Sequence, residues 1–231
     1  MAYTPRSNIV PNQVFVGLPW KNVKRKYESC IDRLRTRRPL SFTIVGRSDA
    51  QDAEDLLQVI KVKIESSSYA IFDATSGNAN VSLEYGYAEA LDLKKALYLC
   101  THGASSKTKE LPIISDLAGK RRNSYKHESG LMSLLEAFCD DHPYTKRFEK
   151  WFRKEFSRSD KGTKKRKRSL ALKVIHELDG DGVARREDVV QALLGDQSDY
   201  DDAEVNHIIQ DLHRGALIHS ERGRYSKLYI A

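Results

Sequence analysis

Short apolar runs alternate with amphipathic helical stretches along the first 140 residues, and this alternation restricts the fold more than any other feature. Residues 13–17 (QVFVG) read as a buried strand, which LPW ends before a helix over 23–34. SFTIVG (41–46) is a second run, and DAEDLLQVIKVKIESS then places Leu56, Leu57, Ile60 and Ile64 at helical spacing. A third strand over 69–73, a helix over 81–93 and a fourth strand over 96–100 follow. Residues 122–125 suit a fifth, edge strand, with helices over 129–139 and 146–156. Strands joined through helices pair in parallel and are covered on both faces. The expected fold class is therefore α/β, a flavodoxin-like doubly wound parallel sheet of about five strands.

A break in composition divides the chain. SRSDKGTKKRKRS (157–169) holds no apolar residue and reads as a basic linker between a domain over 1–156 and a smaller one over 170–231. In the smaller one the pattern runs helix (170–178), helix (from near Arg185 to Gly195), helix (202–213), then two short strands about an ERGR turn. Three helices and a hairpin in about sixty residues are the winged-helix arrangement.

The formal charge is +7, yet from Lys161 onward 13 Lys and Arg face 12 Asp and Glu. The basic excess lies in runs, above all Lys164, Lys165, Arg166, Lys167 and Arg168. These five, with Arg222, Arg224 and Lys227 on the expected wing, are the candidate nucleic-acid contacts, since several phosphate contacts give strong, salt-dependent affinity. A charge run is equally an ordinary solvated linker. Asp201, Asp202, Glu204 and Asp211 on the third helix oppose a role for it in reading DNA.

No apolar stretch approaches the roughly 20 residues of a membrane span and no signal segment opens the chain, so a soluble, cytoplasmic protein is expected. Cys30, Cys100 and Cys139 are widely spaced and read as buried thiols. Neither GxxxxGK[ST] nor GxGxxG occurs, no GxSxG elbow is present, and no metal or cofactor is called for.

The chemistry concentrates in FDATSGNANVSLEYGYAEAL (72–91). Asp73 ends the third strand and Glu84 follows in the first turn of the next helix, at the sheet edge where open parallel sheets bind ligands. Two carboxylates facing one crevice can divide nucleophile and acid between them, as cleavage through an oxocarbenium-like transition state requires. Each residue also has a plainer role open to it. Glu84 suits a helix N-terminus, Asp73 caps a turn, and Asn78 and Asn80 serve a loop. Trp20 and Tyr87 stack on a base or pack in the core.

This stretch resembles the signature of the nucleoside 2-deoxyribosyltransferase-like and TIR-like superfamily: a carboxylate at a strand end, an Asn-rich loop, and a Glu-x-Gly-x-Ala helix start. VFVGLPW is similar to that family's first strand and loop, and the likeness covers roughly residues 13–140. It implies that Glu84 attacks or stabilises the anomeric carbon, that Asp73 orients the sugar or assists the leaving base, and that Asn78 and Asn80 bind the ribose. Gly17, Trp20 and Tyr87 complete the expected substrate site. The chain departs from the family in carrying Asn78 where several transferases have an acid, and GLPW where a glycine-proline loop is usual.

With the C-terminal winged helix, the whole resembles effectors of certain bacterial retron defence systems. That implies action on nucleotides or NAD, restrained by a reverse transcriptase and its small DNA, in a homo-oligomer or larger complex. A nucleotide-sensing adaptor or DNA-binding regulator without turnover is the alternative.

Overall fold

The computed structural model describes residues 9–46, 53–101, 121–178, 182–194, 200–220 and 227–231. Strands β1 (Val10–Gly17), β2 (Ser41–Thr43), β3 (Ser67–Asp73), β4 (Lys94–Cys100) and β5 (Asn123–Tyr125) form one parallel sheet in the order β2-β1-β3-β4-β5. Phe72 and Asp73 lie beside Leu97 and Tyr98, and Tyr98 beside Asn123. The order reverses between β1 and β3, where an open parallel sheet leaves a crevice at the carboxyl ends of its strands.

Helices α2 (Ala53–Ser66) and α3 (Ala79–Ala90) cover one face. There Phe15 of β1, Ala70 and Phe72 of β3, and Leu97 and Leu99 of β4 pack with Ile64, Val81, Tyr85 and Ala88. On the opposite face lies α1 (Trp20–Arg35), whose Tyr27 meets Tyr125 edge-on at 6.5 Å. It is joined there by α4 (Glu128–Asp141), reached by Ser29 Oγ donating to Glu128 at 2.8 Å and Tyr98 OH donating to the Leu134 carbonyl at 3.3 Å. Successive strand side chains point to opposite faces. Phe72 therefore serves the α2–α3 face, and its neighbour Asp73 serves the α1–α4 face.

The chain divides into two compact units, one of residues 1–9, 13–32 and 42–137, the other of residues 10–12, 33–41 and 138–231. The second unit contains α5 (Pro143–Glu155), α6 (Lys161–His176), β6 (Val183–Arg185), α7 (Arg186–Leu193), α8 (Asp202–Arg214), β7 (Ile218–Ser220) and β8 (Lys227–Ile230). Its strands make an antiparallel sheet in the order β6-β8-β7. Three-residue β6 is too short to show a period of two in the sequence, and the ERGR turn lies outside the described residues.

The basic stretch differs from its sequence reading as a linker. From Lys161 it is helical, because Asp160 Oδ1 accepts from the Gly162 and Thr163 amides at 2.8 and 3.0 Å and so satisfies the first turn. Lys and Arg are good helix formers, and a run of them reads alike in a loop or on a solvated helix face. Among the described residues no helix is long and apolar enough to cross a membrane.

Candidate active site

The turn from β3 into α3 sets the site. The Ala74 amide donates to the Tyr98 carbonyl at 2.9 Å, and Thr75 Oγ1 accepts from the Cys100 amide at 2.8 Å, so the chain leaves β3 tied to β4. Ser76 and Gly77 then adopt left-handed φ of 64° and 60°, and Asn78 caps α3. Its Oδ1 accepts from the amides of Asn80 and Val81 at 3.0 and 3.3 Å. This is the helix-start role rather than the expected ribose contact. Asn80 is exposed beside it.

Helix α3 begins at Ala79, so Glu84 lies in its second turn and not its first. Half-buried, its carboxyl crosses to the end of β1 and lies over Gly17, beside the Phe72 ring. Among the described residues nothing donates to it and no cation pairs with it. Burial alone pushes its pKa up to about 7, since the ionised form is stripped of water without compensation. Glu84 thus holds both protonation states in comparable amounts near neutrality, at the point where the strand order reverses.

Asp73 does not join it. Fully buried, it is hydrogen-bonded on the other side of the sheet. Tyr27 OH and Tyr125 OH donate to Oδ2 at 3.1 and 2.7 Å, and the Thr75 amide donates to Oδ1 at 3.0 Å. Burial raises its pKa, and these three bonds oppose the rise. The hydroxyls of Tyr27 and Tyr125 are held above the ordinary tyrosine range, first by their own burial and then by the Asp73 charge. The expected pair of facing carboxylates is therefore corrected. Asp73 is the hub of a buried network that locks α1 and β5 to the end of β3, and strand alternation is the reason.

The other candidates separate in the same way. Gly17 stands at the site, under the Glu84 carboxyl. Trp20, first residue of α1, is 42% exposed with Lys24 Nζ over its ring at 3.8 Å from the centre, so it is a surface residue and not core. Tyr87 turns away to α2, where its hydroxyl donates to Glu65, and that contact raises its pKa to about 12. Phe72, which the apolar pattern places only within the third strand, forms the apolar wall of the site. Its place one residue before a strand-end carboxylate was the available signal. Gly86 is exposed, with open space where a Cβ would stand, so it does not serve close packing on the sheet.

The basic run is already engaged within the second unit. Arg166 makes a two-pronged contact with Glu204 of α8 at 3.0 and 2.6 Å, with Lys167 Nζ 3.9 Å from the same carboxylate. Arg168 grips Glu149 of α5 and lies 5.2 and 5.4 Å from the ring centres of Phe148 and Phe152. Lys164 donates to the Ser157 carbonyl at 3.2 Å, while Lys165 is exposed. Three of the four acid residues that oppose DNA are likewise occupied, while Asp202 is exposed. Asp201 caps α8, Glu204 is paired, and Asp211 is buried against Arg214. Arg222, Arg224 and the side chain of Lys227 lie outside the described residues. A cavity of about 240 Å³ in this unit, lined in part by Arg35, Lys173 and His176, includes none of the candidates.

No family model matches the chain, and no curated protein does. Among solved structures, a 2-desoxiribosyltransferase from Leishmania mexicana is similar over 55% of this chain and 98% of its own, with TM-score 0.43 and 16% identity. The TIR domains of the activated Roq1 resistosome directly recognizing the pathogen effector XopQ are similar over 87% of this chain and 99% of theirs, with TM-score 0.32 and 11% identity.

Proposed function

We propose that the protein cleaves or transfers the N-glycosidic bond of a nucleotide, nucleoside or NAD, with Glu84 as the central group. The observation that carries this is the Glu84 carboxyl itself, desolvated, without a partner among the described residues, and set where β1 and β3 end. The helix-start signature around it supports the same chemistry. In its ionised form Glu84 stabilises or attacks the anomeric carbon as the C1′–N bond breaks and its electron pair passes to the base nitrogen. Water or an acceptor hydroxyl then completes the substitution.

The position of Asp73 shapes the substrate choice. With Asp73 turned to the other face of the sheet and no second carboxyl beside Glu84 among the described residues, the reading favours a base that leaves without first taking a proton. A pyridinium such as that of NAD departs as a neutral molecule and meets this condition, whereas an unprotonated purine does not. Trp20 offers a face for a base or nicotinamide. The arrangement of α6, β6, α7, α8, β7 and β8 supports a winged helix acting on a nucleic acid or a partner. The full proposal is a cytoplasmic defence effector, working in a homo-oligomer or larger complex and restrained by a reverse transcriptase and its small DNA.

The test is incubation with NAD and a panel of nucleosides and nucleotides, following free base by chromatography. Wild type is expected to release base, from NAD fastest, and Glu84→Gln to lose at least 100-fold in rate. Equal release by both proteins removes Glu84 from its role. The engagement of Asp73 elsewhere favours a second reading, a nucleotide sensor without turnover, which tight binding in calorimetry with no product would establish.

A further inference from the structure

Gly17 is the one candidate whose side chain does no chemistry, and the space above it is already filled. A Cβ on Gly17 would stand only 2.7 Å from Phe72 Cδ1 and closer still to Glu84 Oε2, distances that real Cβ atoms do not reach. The carboxyl of Glu84 thus lies in the place a side chain at position 17 would take. Phe72 forms the wall beside it and is itself fixed, its ring 5.9 Å from Phe15 and 5.4 Å edge-on from Tyr85.

We propose that Gly17 is a positioning residue which, by lacking a Cβ, lets the Glu84 carboxyl lie against Phe72 and out of water, so that the cradle and not a neighbouring charge sets its protonation. From β1 and β3 the groups facing this carboxyl are Gly17 and Phe72, neither of which titrates. Tyr85, on the same helix, is turned onto Phe72, and Asp73 is turned to the other face of the sheet with its own donors. With no cation or donor among the described residues to hold the charged form, solvent exclusion is what remains, and its effect depends on how closely the carboxyl can approach β1. A residue with any side chain at 17 pushes the carboxyl outward into water. The inference rests on the proposed function only for its consequence in catalysis, because the seating of Glu84 is measurable without turnover.

The experiment is a carbon-13 NMR titration of the Glu84 carboxyl in the full chain, its signal identified by its absence in Glu84→Gln. Wild type is expected to titrate near pH 7. In Gly17→Ala the midpoint should fall toward the ordinary carboxylate range, by one unit or more, and the pH profile of base release should move with it. An unchanged midpoint in a folded Gly17→Ala overturns the proposal, whatever the activity does. A shifted midpoint with no base release from any protein upholds the positioning role and removes the glycosidase reading.

Thermal midpoints cover the case in which the variant folds poorly. Gly17→Ala should cost less in a Glu84→Ala background than in wild type, because the carboxyl that it displaces is gone. If it is equally damaging in both, Phe72 alone is the obstacle and Gly17 does not position Glu84.

Discussion

A carboxyl kept from water without a partner costs the folded state free energy whenever it is ionised, and among the described residues Glu84 has none. Its pKa is about 7 folded against an ordinary 4.5, so between those values the folded chain holds a proton that the unfolded chain has released. Stability contributed by the protonated form is full below pH 4.5, is lost as pH rises toward 7, and stays lost above it. Glu84→Gln, which cannot ionise, is expected to be more stable than wild type by about 2–3 kcal/mol at pH 8 and by little at pH 4.5. Urea unfolding at the two pH values measures this. A difference that does not grow with pH would show that the carboxyl is solvated. That Glu84 lies near the carboxyl ends of the strands was legible in the sequence, because a strand-end carboxylate, a polar loop and a helical stretch follow one another there. Its isolation was not. Asp73 and Glu84 are eleven residues apart in a stretch that reads as one motif, and only the register of β3 decides that their side chains leave the sheet on opposite faces.

Among the elements, the strands of the parallel sheet and the helices between them follow from apolar periodicity, and all five strands stand close to their expected places. Helix α6 was misread because periodicity is silent where every residue is polar. Its first two turns are held by partners far away in sequence, Glu204 on α8 and Glu149 on α5, and sequence alone pairs no charge with another at such separation. A structural role for Arg166 and Arg168 therefore stands beside the binding role expected of the run. Arg168 is half-buried, grips Glu149 with two nitrogens, also donates to the Arg37 carbonyl at 3.2 Å, and lies over two aromatic rings. Arg168→Gln is expected to destabilise the chain by about 1–3 kcal/mol, the range for a charge-assisted pair together with ring contacts. Lys165→Gln, on an exposed position, should stay within about 0.5 kcal/mol of wild type. Differential scanning calorimetry of the two variants decides between the roles. If Arg168→Gln melts like wild type, the pairing is incidental and the arginine is free to meet phosphate.

At the scale of the whole molecule, the sequence marks a boundary by composition, whereas folding marks it by which apolar faces meet. Helix α5 shows the difference. Its buried stripe of Tyr144, Phe148, Trp151 and Phe152 reads as the last helix of the first domain, because an apolar stripe does not name its partner. In the structure it packs with the C-terminal elements. Tyr144 OH donates to the Leu217 carbonyl at 2.9 Å, Trp151 Nε1 donates to the Asp211 carbonyl at 3.1 Å, and Gly215 lies so close under the Trp151 ring that no Cβ fits there. Arg147 donates to the carbonyl of Ala231. A fragment of residues 170–231, cut where composition suggests, therefore leaves the apolar side of α8 without Trp151 and removes most of α6. It is expected to show little cooperative melting by circular dichroism. A fragment of residues 138–231, which restores α5 and α6, should melt cooperatively, although at a lower temperature than the full chain, since residues 10–12 and 33–41 of the same unit are missing. Within it, Trp151→Ala should cost about 3–5 kcal/mol, the range for removing a large buried aromatic, and abolish the transition. Equal, sharp melting of the two fragments would place the boundary at the basic run after all and reduce α5 to a helix of the first unit.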